Sequence, residues 1–323
     1  IWKGAGAKDV PMARHDISID SGGSPMDVKE VAAQLLAART ANPDKVIVAK
    51  LTGDFVVRSK EGLNVPSHTC VLLYGTITNE CIPEGTHRLE LVKMAGKGCA
   101  SFSGGKVFSA TKVYNAFTGM KGNNAFLLDG VQIDLSSPHG RVGSQSTNAV
   151  SAKQHGGAFV VRGCEIRDPG HRGVWFHATK RAYALGNRFH GGGMTIDFDA
   201  YCFSSAALYN TVSGNKYHSA IFLEEGVKFN TAFANRCVGS QVGGVAIWTQ
   251  AVKLSTENNL VACNDIEGDP EAERSTGISV GGRSKEKTAD RNYIFNNRLT
   301  RNDGRAGINI KANASGNYFA QNV

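Results

Sequence analysis

The chain of 323 residues is 41% hydrophobic and 20% charged, with 38 glycines against 8 prolines and a formal net charge of +8. That excludes a disordered tail, a collagen and a small disulfide scaffold, because there is ample apolar surface to bury and no triplet repeat. Glycine exceeds its usual share of about 7% while proline is low, so the excess marks a backbone requirement rather than a low-complexity linker. No run of eighteen apolar residues occurs, so no membrane span is expected. The first residue is Ile1 rather than Met, which reads as a processed N-terminus compatible with secretion. The seven cysteines (Cys70, Cys81, Cys99, Cys164, Cys202, Cys237, Cys263) contain no CxxC pair, which argues against a zinc site or a thioredoxin motif. Cys70 and Cys81 are placed to bridge across a turn, and most of the seven are expected to be buried small hydrophobes.

In chain order, the first element is an amphipathic helix over Asp27 to Thr40, with Val28, Val31, Ala32, Leu35 and Leu36 on one face and Ser24 as its start signal. Short apolar strands follow, at Cys70–Leu73, Leu89–Val92, Ala125–Leu128 and Phe159–Arg162. From residue 173 the pattern becomes a repeat: Gly173–His177, Thr195–Asp199, Ala220–Glu224, Val245–Thr249, Ile278–Gly282 and Ile308–Lys311 each alternate apolar and polar residues. Most of these are followed about eleven residues later by an Asn-centred segment, at Asn187, Asn210, Asn235, Asn259, Asn297 and Asn317. The first four of these stand 23, 25 and 24 residues apart. Short strands at that period, with no helical pattern between them, define a β-solenoid whose inward residues are Ile196, Phe198, Ile221, Leu223, Val245 and Ile247. Asn suits the bends because it tolerates left-handed backbone and pairs with its equivalent in the next coil. Glycines such as Gly173, Gly226, Gly244 and Gly277 are expected at the turns. The division is therefore 1–44 as an N-terminal segment with a capping helix and 45–323 as an all-β solenoid, the helix covering the exposed first coil. No equivalent cap follows Asn317, so a partner or further chain is expected at that end.

Over residues 45–323 these Asn-ended coils resemble the right-handed parallel β-helix proteins of the pectate-lyase-like kind. The resemblance implies a carbohydrate-active, extracellular protein that binds its polymer along one sheet. Around residues 199–224 it is also similar to β-helix β-xylosidases, in which an Asp and a Glu on adjacent coils are catalytic. Asp199, Asn210 and Asn215 fit that spacing and Glu224 arrives two residues late. No Gly-His-Gly of the polygalacturonases is present.

Coils stack at about 4.8 Å, so aligning them on the bends predicts neighbours. Asp199, Glu224 and Trp248 fall in one outward column, with His177 beside it and Arg283 and Lys311 farther along. Two carboxylates one coil apart fit the ~5 to 5.5 Å separation of a retaining glycosidase. Asp197, two residues earlier on the same face, would with Glu224 approach the ~6.5 to 9.5 Å gap of an inverting one. Carboxylates this close do not ionise together readily, so one is expected to keep its proton as a general acid. Asp199, Glu224 and Asp197 are thus the candidate catalytic residues. His177, Trp248, His218, Glu225, Lys228, Arg283 and Lys311 are candidate substrate contacts, Trp248 as a stacking platform for a sugar face. Glu225 also reads as the start of a bend, and His218 as a turn residue.

The rival chemistry is β-elimination by a polysaccharide lyase, which needs a base and a cation to neutralise a uronic carboxylate. Lys180, Lys228 and Lys253 would form a basic ladder beside the site, in keeping with a pI near 9.1. Under that reading Asp197, Asp199 and Glu224 would be Ca²⁺ ligands, whereas hydrolysis needs no cofactor and no metal. A non-catalytic glycan-binding β-helix is the third class. The expected partner is a polysaccharide or oligosaccharide, with no nucleic acid, no membrane, and a homo-oligomer allowed.

Overall fold

The computed structural model describes residues 12–81, 89–94, 98–111, 113–119, 125–135, 147–153, 157–250, 254–272, 275–300 and 307–323. Strand alternation dictates the architecture: along each coil every second side chain points into a common interior, and Ile196, Phe198, Ile221, Leu223, Val245 and Ile247 are all fully buried there. The result is a right-handed parallel β-solenoid of about 10 turns with one short helix near the N-terminus. One face is a ten-stranded sheet with a single strand per coil, among them Asn148–Lys153, Arg172–His177, Met194–Asp199, Ser219–Glu224, Gly243–Thr249, Thr276–Gly282 and Ile308–Ile310. The other strands form a 21-stranded sheet that wraps the remaining sides. Among the described residues no helix is long and apolar enough to cross a membrane.

Two ladders of buried asparagine tie the coils together, where one was expected. The first joins Asn187, Asn210, Asn235, Asn264, Asn297 and Asn322 through amide-to-amide hydrogen bonds across 23, 25, 29, 33 and 25 residues. The second joins Asn230, Asn259, Asn292 and Asn317 across 29, 33 and 25 residues. Asn259 and Asn317 therefore belong to a different corner from Asn235 and Asn297. Each inner amide is satisfied on all sides, as burial requires. Asn235 Nδ2, for example, donates to Ala207 O and to Asn264 Oδ1 at 2.9 Å each, while its Oδ1 accepts from both the backbone and side-chain nitrogens of Asn210.

The corner before the first ladder is left-handed, yet glycine occupies it only at Gly186 among the six coils. Tyr209, Ala234, Cys263, Asn296 and Gln321 hold φ between 51° and 58° at the equivalent positions. Gly173, Gly244 and Gly277, expected at turns, lie inside strands instead. Their role is space: a Cβ would stand 2.8 Å from the Phe189 ring at Gly173, 2.4 Å from Ile266 Cγ2 at Gly244 and 3.0 Å from Leu299 Cδ2 at Gly277. Only Gly226, at φ 79°, turns the chain as expected. Because a left-handed alanine is strained by about 1–2 kcal/mol while glycine costs about 0.4–1 kcal/mol through the freer unfolded chain, Ala234→Gly is expected to raise stability by up to about 1 kcal/mol in urea unfolding. A loss of stability would show that the corner is not strained.

The helix runs over Val28–Ala41 and is capped by Asp27, whose carboxylate accepts from Lys29 N at 2.9 Å, rather than by Ser24. Val28, Val31 and Leu35 are buried, but Leu36 is 60% exposed because it lies 100° around the helix from Leu35. Ahead of it, the strand Ala13–Asp20 already pairs in parallel with Lys45–Val57. All seven cysteines are free, and only Cys164, Cys202 and Cys237 are fully buried. Cys70 is at the start of the strand Thr69–Asn79 and Cys81 lies two residues past its end, so the length of the strand keeps them from bridging.

Candidate functional site

On the single-strand face His177 stands opposite Asp199, and Phe198 opposite Leu223, which sets Asp199 beside Glu224. Glu224 is opposite Trp248, Trp248 opposite Gly281, and Val280 opposite Ile310, which brings Lys311 next in line. The neighbouring outward column carries Trp175, Asp197, Phe222, Ala246 and Ser279. Asp197, Asp199 and Glu224 therefore converge, each with a carboxylate oxygen within 4.8 Å of the other two. The longer Asp197–Glu224 gap expected from backbone spacing is closed because the two side chains lean together across one pleated face.

The three acids differ in surroundings. Asp197 is completely buried, and its Oδ2 accepts from Arg172 Nε at 2.5 Å. Burial raises its pKa against the pull of Arg172, and the charge of Asp199 adds to the rise. Glu224 is 6% exposed, and burial, then the charges of Asp197 and Asp199, push its pKa higher still. Asp197 Oδ1 is buried with no hydrogen-bond partner, and side-chain hydrogen bonding with Glu224 favours the ionised form of Asp197. Together these hold a proton on Glu224. Asp199 is the most open of the three, and Trp175 Nε1 donates to its Oδ2 at 3.0 Å.

Arg172, Trp175, Lys153 and His171 were not foreseen. The Trp175 ring carries the Arg172 guanidinium at 4.4 Å and the Lys153 ammonium at 4.1 Å from its centroid. Arg172 also contacts His171 Nδ1 at 2.8 Å, and burial, Arg172 and His218 push the His171 pKa down to about 4. Stacking the column two residues before the first would have shown Trp175 above Asp197, whereas Arg172 sits at a strand start that the repeat pattern leaves unmarked.

Of the expected substrate contacts, His177 packs edge-on to Trp175 at 5.4 Å, and His218 lies at the margin, 6.4 Å from the His171 ring. Trp248 lies across Gly281, where a Cβ would be 2.4 Å from the indole, and Lys311 Nζ stands 5.1 Å from its centroid. Arg283 is exposed just past the strand end. Glu225 is buried in the bend at φ 59°, with Oε1 accepting from Gln250 N at 3.2 Å, so its carboxylate serves the turn. Lys228 is not at the site: it pairs with Glu257 at 2.5 Å on another corner, in a row that reads Lys180, Phe203, Lys228, Glu257. The expected lysine ladder is thus interrupted by Phe203, and Lys253 lies outside the described residues.

Residues 94–261 match the family model of the right handed beta helix region. Among solved structures, a DFA-IIIase from Arthrobacter chlorophenolicus is similar over 96% of this chain and 94% of its own, with 11% identity and a TM-score of 0.51. A mutant of the periplasmic alginate epimerase AlgG is similar over 95% and 85%, with 11% identity and a TM-score of 0.47. PfbA, a surface adhesin of Streptococcus pneumoniae, is similar over 85% and 90%, with 14% identity and a TM-score of 0.36. Likeness at these identities shows the fold alone, and no curated protein sequence matches the chain. With just over half of its length covered by that model, the chain belongs to the right-handed β-helix family.

Proposed function

We propose that the protein cleaves glycosidic bonds of a polysaccharide or oligosaccharide by hydrolysis, with Glu224 as general acid and Asp199 as nucleophile. The observation that carries this reading is the outward cluster of three carboxylates within 4.8 Å, one of them held protonated. Carboxylate oxygens within 4.8 Å of one another favour the ~5 to 5.5 Å spacing of a retaining mechanism over the ~6.5 to 9.5 Å of an inverting one. Glu224 protonates the leaving oxygen while Asp199 attacks the anomeric carbon; Glu224 then takes a proton from the water that releases the sugar. Asp197 touches no substrate in this scheme. Neutralised by Arg172, it positions the Glu224 proton. Trp175 orients Asp199, and Trp248 with Lys311 offers a flanking contact surface. The scheme needs no cofactor, and the extracellular setting implied by the β-helix resemblance suits it. The DFA-IIIase that shares the fold is compatible with a role on carbohydrate.

A second reading is favoured by the same three carboxylates. They suit a hard cation such as Ca²⁺, and Asp197 Oδ1 is a buried oxygen with no donor in place. In that case they would hold the ion for a polysaccharide lyase, and Ca²⁺ would neutralise a uronic carboxylate. Digestion of neutral and uronic polysaccharides, read by product mass with and without a chelator, separates the two. Saturated reducing products made with the chelator present support hydrolysis. Unsaturated products lost on chelation establish elimination and overturn the first reading.

A further inference from the structure

One side of the solenoid carries no charge over six coils. The outward positions of its strands are Tyr183 and Leu185, Ala206 and Leu208, Thr231 and Phe233, Leu260 and Ala262, Tyr293 and Phe295, and Tyr318 and Ala320, in register from coil to coil. Upstream, the second of these columns ends in an ion pair, Arg162 with Asp129 at 2.6 Å. The uncharged face is roughly 24 Å long at about 4.8 Å per coil. Such an apolar stripe is more than a soluble solenoid needs on its outside, and it marks an association surface.

The charged rows beside it specify the occupant. On one rim, successive coils present Glu165, Arg188, Thr211, Arg236, Asp265 and Arg298. On the other they present Lys180, Phe203, Lys228 and Glu257. A two-fold axis lying in the face, between the coils of Leu208 and Phe233, reverses both rows onto themselves. Glu165, already paired with Arg167 of its own chain, then meets Arg298; Arg188 meets Asp265, which Arg298 of its own chain also holds; and Thr211 meets Arg236. On the opposite rim Lys180 meets Glu257, while Phe203 meets Lys228 and its neighbour Phe229. No like charges oppose each other on either rim, and both rims select the same register. An isologous contact demands this self-complementarity, and an unrelated partner does not.

We propose that this face is covered by a second copy of the chain, packed antiparallel to form a two-fold dimer with the carboxylate sites on other faces. Leu208 and Phe233 form its apolar centre, and the alternating charges set its register. The site acids are on the single-strand sheet, so the dimer stands whether or not the glycosidase reading holds.

Sedimentation equilibrium of the full chain is the test. The wild type is expected at twice the chain mass at micromolar concentration. Leu208→Glu, which buries a charge at the centre, should weaken association by more than about 30-fold. Thr211 is exposed, so its variants report on the register without threatening the fold. Thr211→Glu, facing Arg236 of the second copy, should tighten the dimer several-fold, and Thr211→Arg should weaken it, both effects fading in high salt. A monomeric wild type at about 100 µM, whether or not the face adheres to insoluble polysaccharide, overturns the proposal. So does a dimer indifferent to Leu208→Glu, or a Thr211 series with the opposite order.

Discussion

Glu224→Gln is expected to lower turnover by about 10²- to 10⁴-fold while leaving substrate affinity nearly unchanged, because it removes a proton donor and little volume. The same change should make the protein more stable at neutral and alkaline pH. Burial and the charges of Asp197 and Asp199 raise the pKa of Glu224, so the folded chain binds a proton there that the unfolded chain releases. Stability from a raised group is complete below the ordinary carboxylate pKa and is lost as pH rises toward the folded value. Asp197, also raised, acts in the same direction. The wild type should therefore lose stability above about pH 4.5, by up to about 1.4 kcal/mol per pH unit for each proton held. Urea midpoints across pH should show this slope, and Glu224→Gln should flatten it. A wild type whose stability rises over that range would contradict the protonated Glu224.

Asn235→Ala should destabilise the solenoid by on the order of 4 kcal/mol, although it removes only an amide from a small buried side chain. The two bonds donated by Asn235 and the two it accepts are lost together. Asn210 N and Ala207 O then lose this buried partner, and Asn210 Nδ2 keeps only Ala184 O. Because each coil contacts only its neighbours, the damage should divide the stack at that coil rather than spread evenly. Hydrogen exchange should quicken first in the strands Ala206–Leu208 and Thr231–Phe233. A cost under about 1 kcal/mol would mean that water replaces the amide readily, and that the ladder is not what holds the coils in register.

Much of this molecule could be read from its residues, for physical reasons that also mark where the reading stopped. Strand alternation is a local property, so the inward set from Ile196 to Ile247 was legible without the fold. In a solenoid a column is fixed by counting along each coil, and this places Asp199, Glu224 and Trp248 together on sequence alone. The same counting failed at Asn259. Each later coil has two asparagines five residues apart, such as Asn259 and Asn264, and the nearer one imitates a 24-residue repeat where the true step is 29. Lys228 was misplaced because lysines recur at similar offsets, although the residue stacked between Lys180 and Lys228 is Phe203. The burial of Asp197 beneath Arg172 depends on side chains from two coils, and no periodicity announces it. That burial decides which acid keeps its proton.

In the proposed mechanism the carboxylates on the single-strand face break a glycosidic bond with Glu224 as the acid. Mass spectrometry of products from a panel of neutral and uronic polysaccharides, incubated in parallel with wild type, Glu224→Gln and Asp199→Asn, tests it most directly. Saturated reducing fragments are expected from the wild type and almost none from either variant, with folding intact by circular dichroism. Fragments released by both variants at the wild-type rate would contradict it.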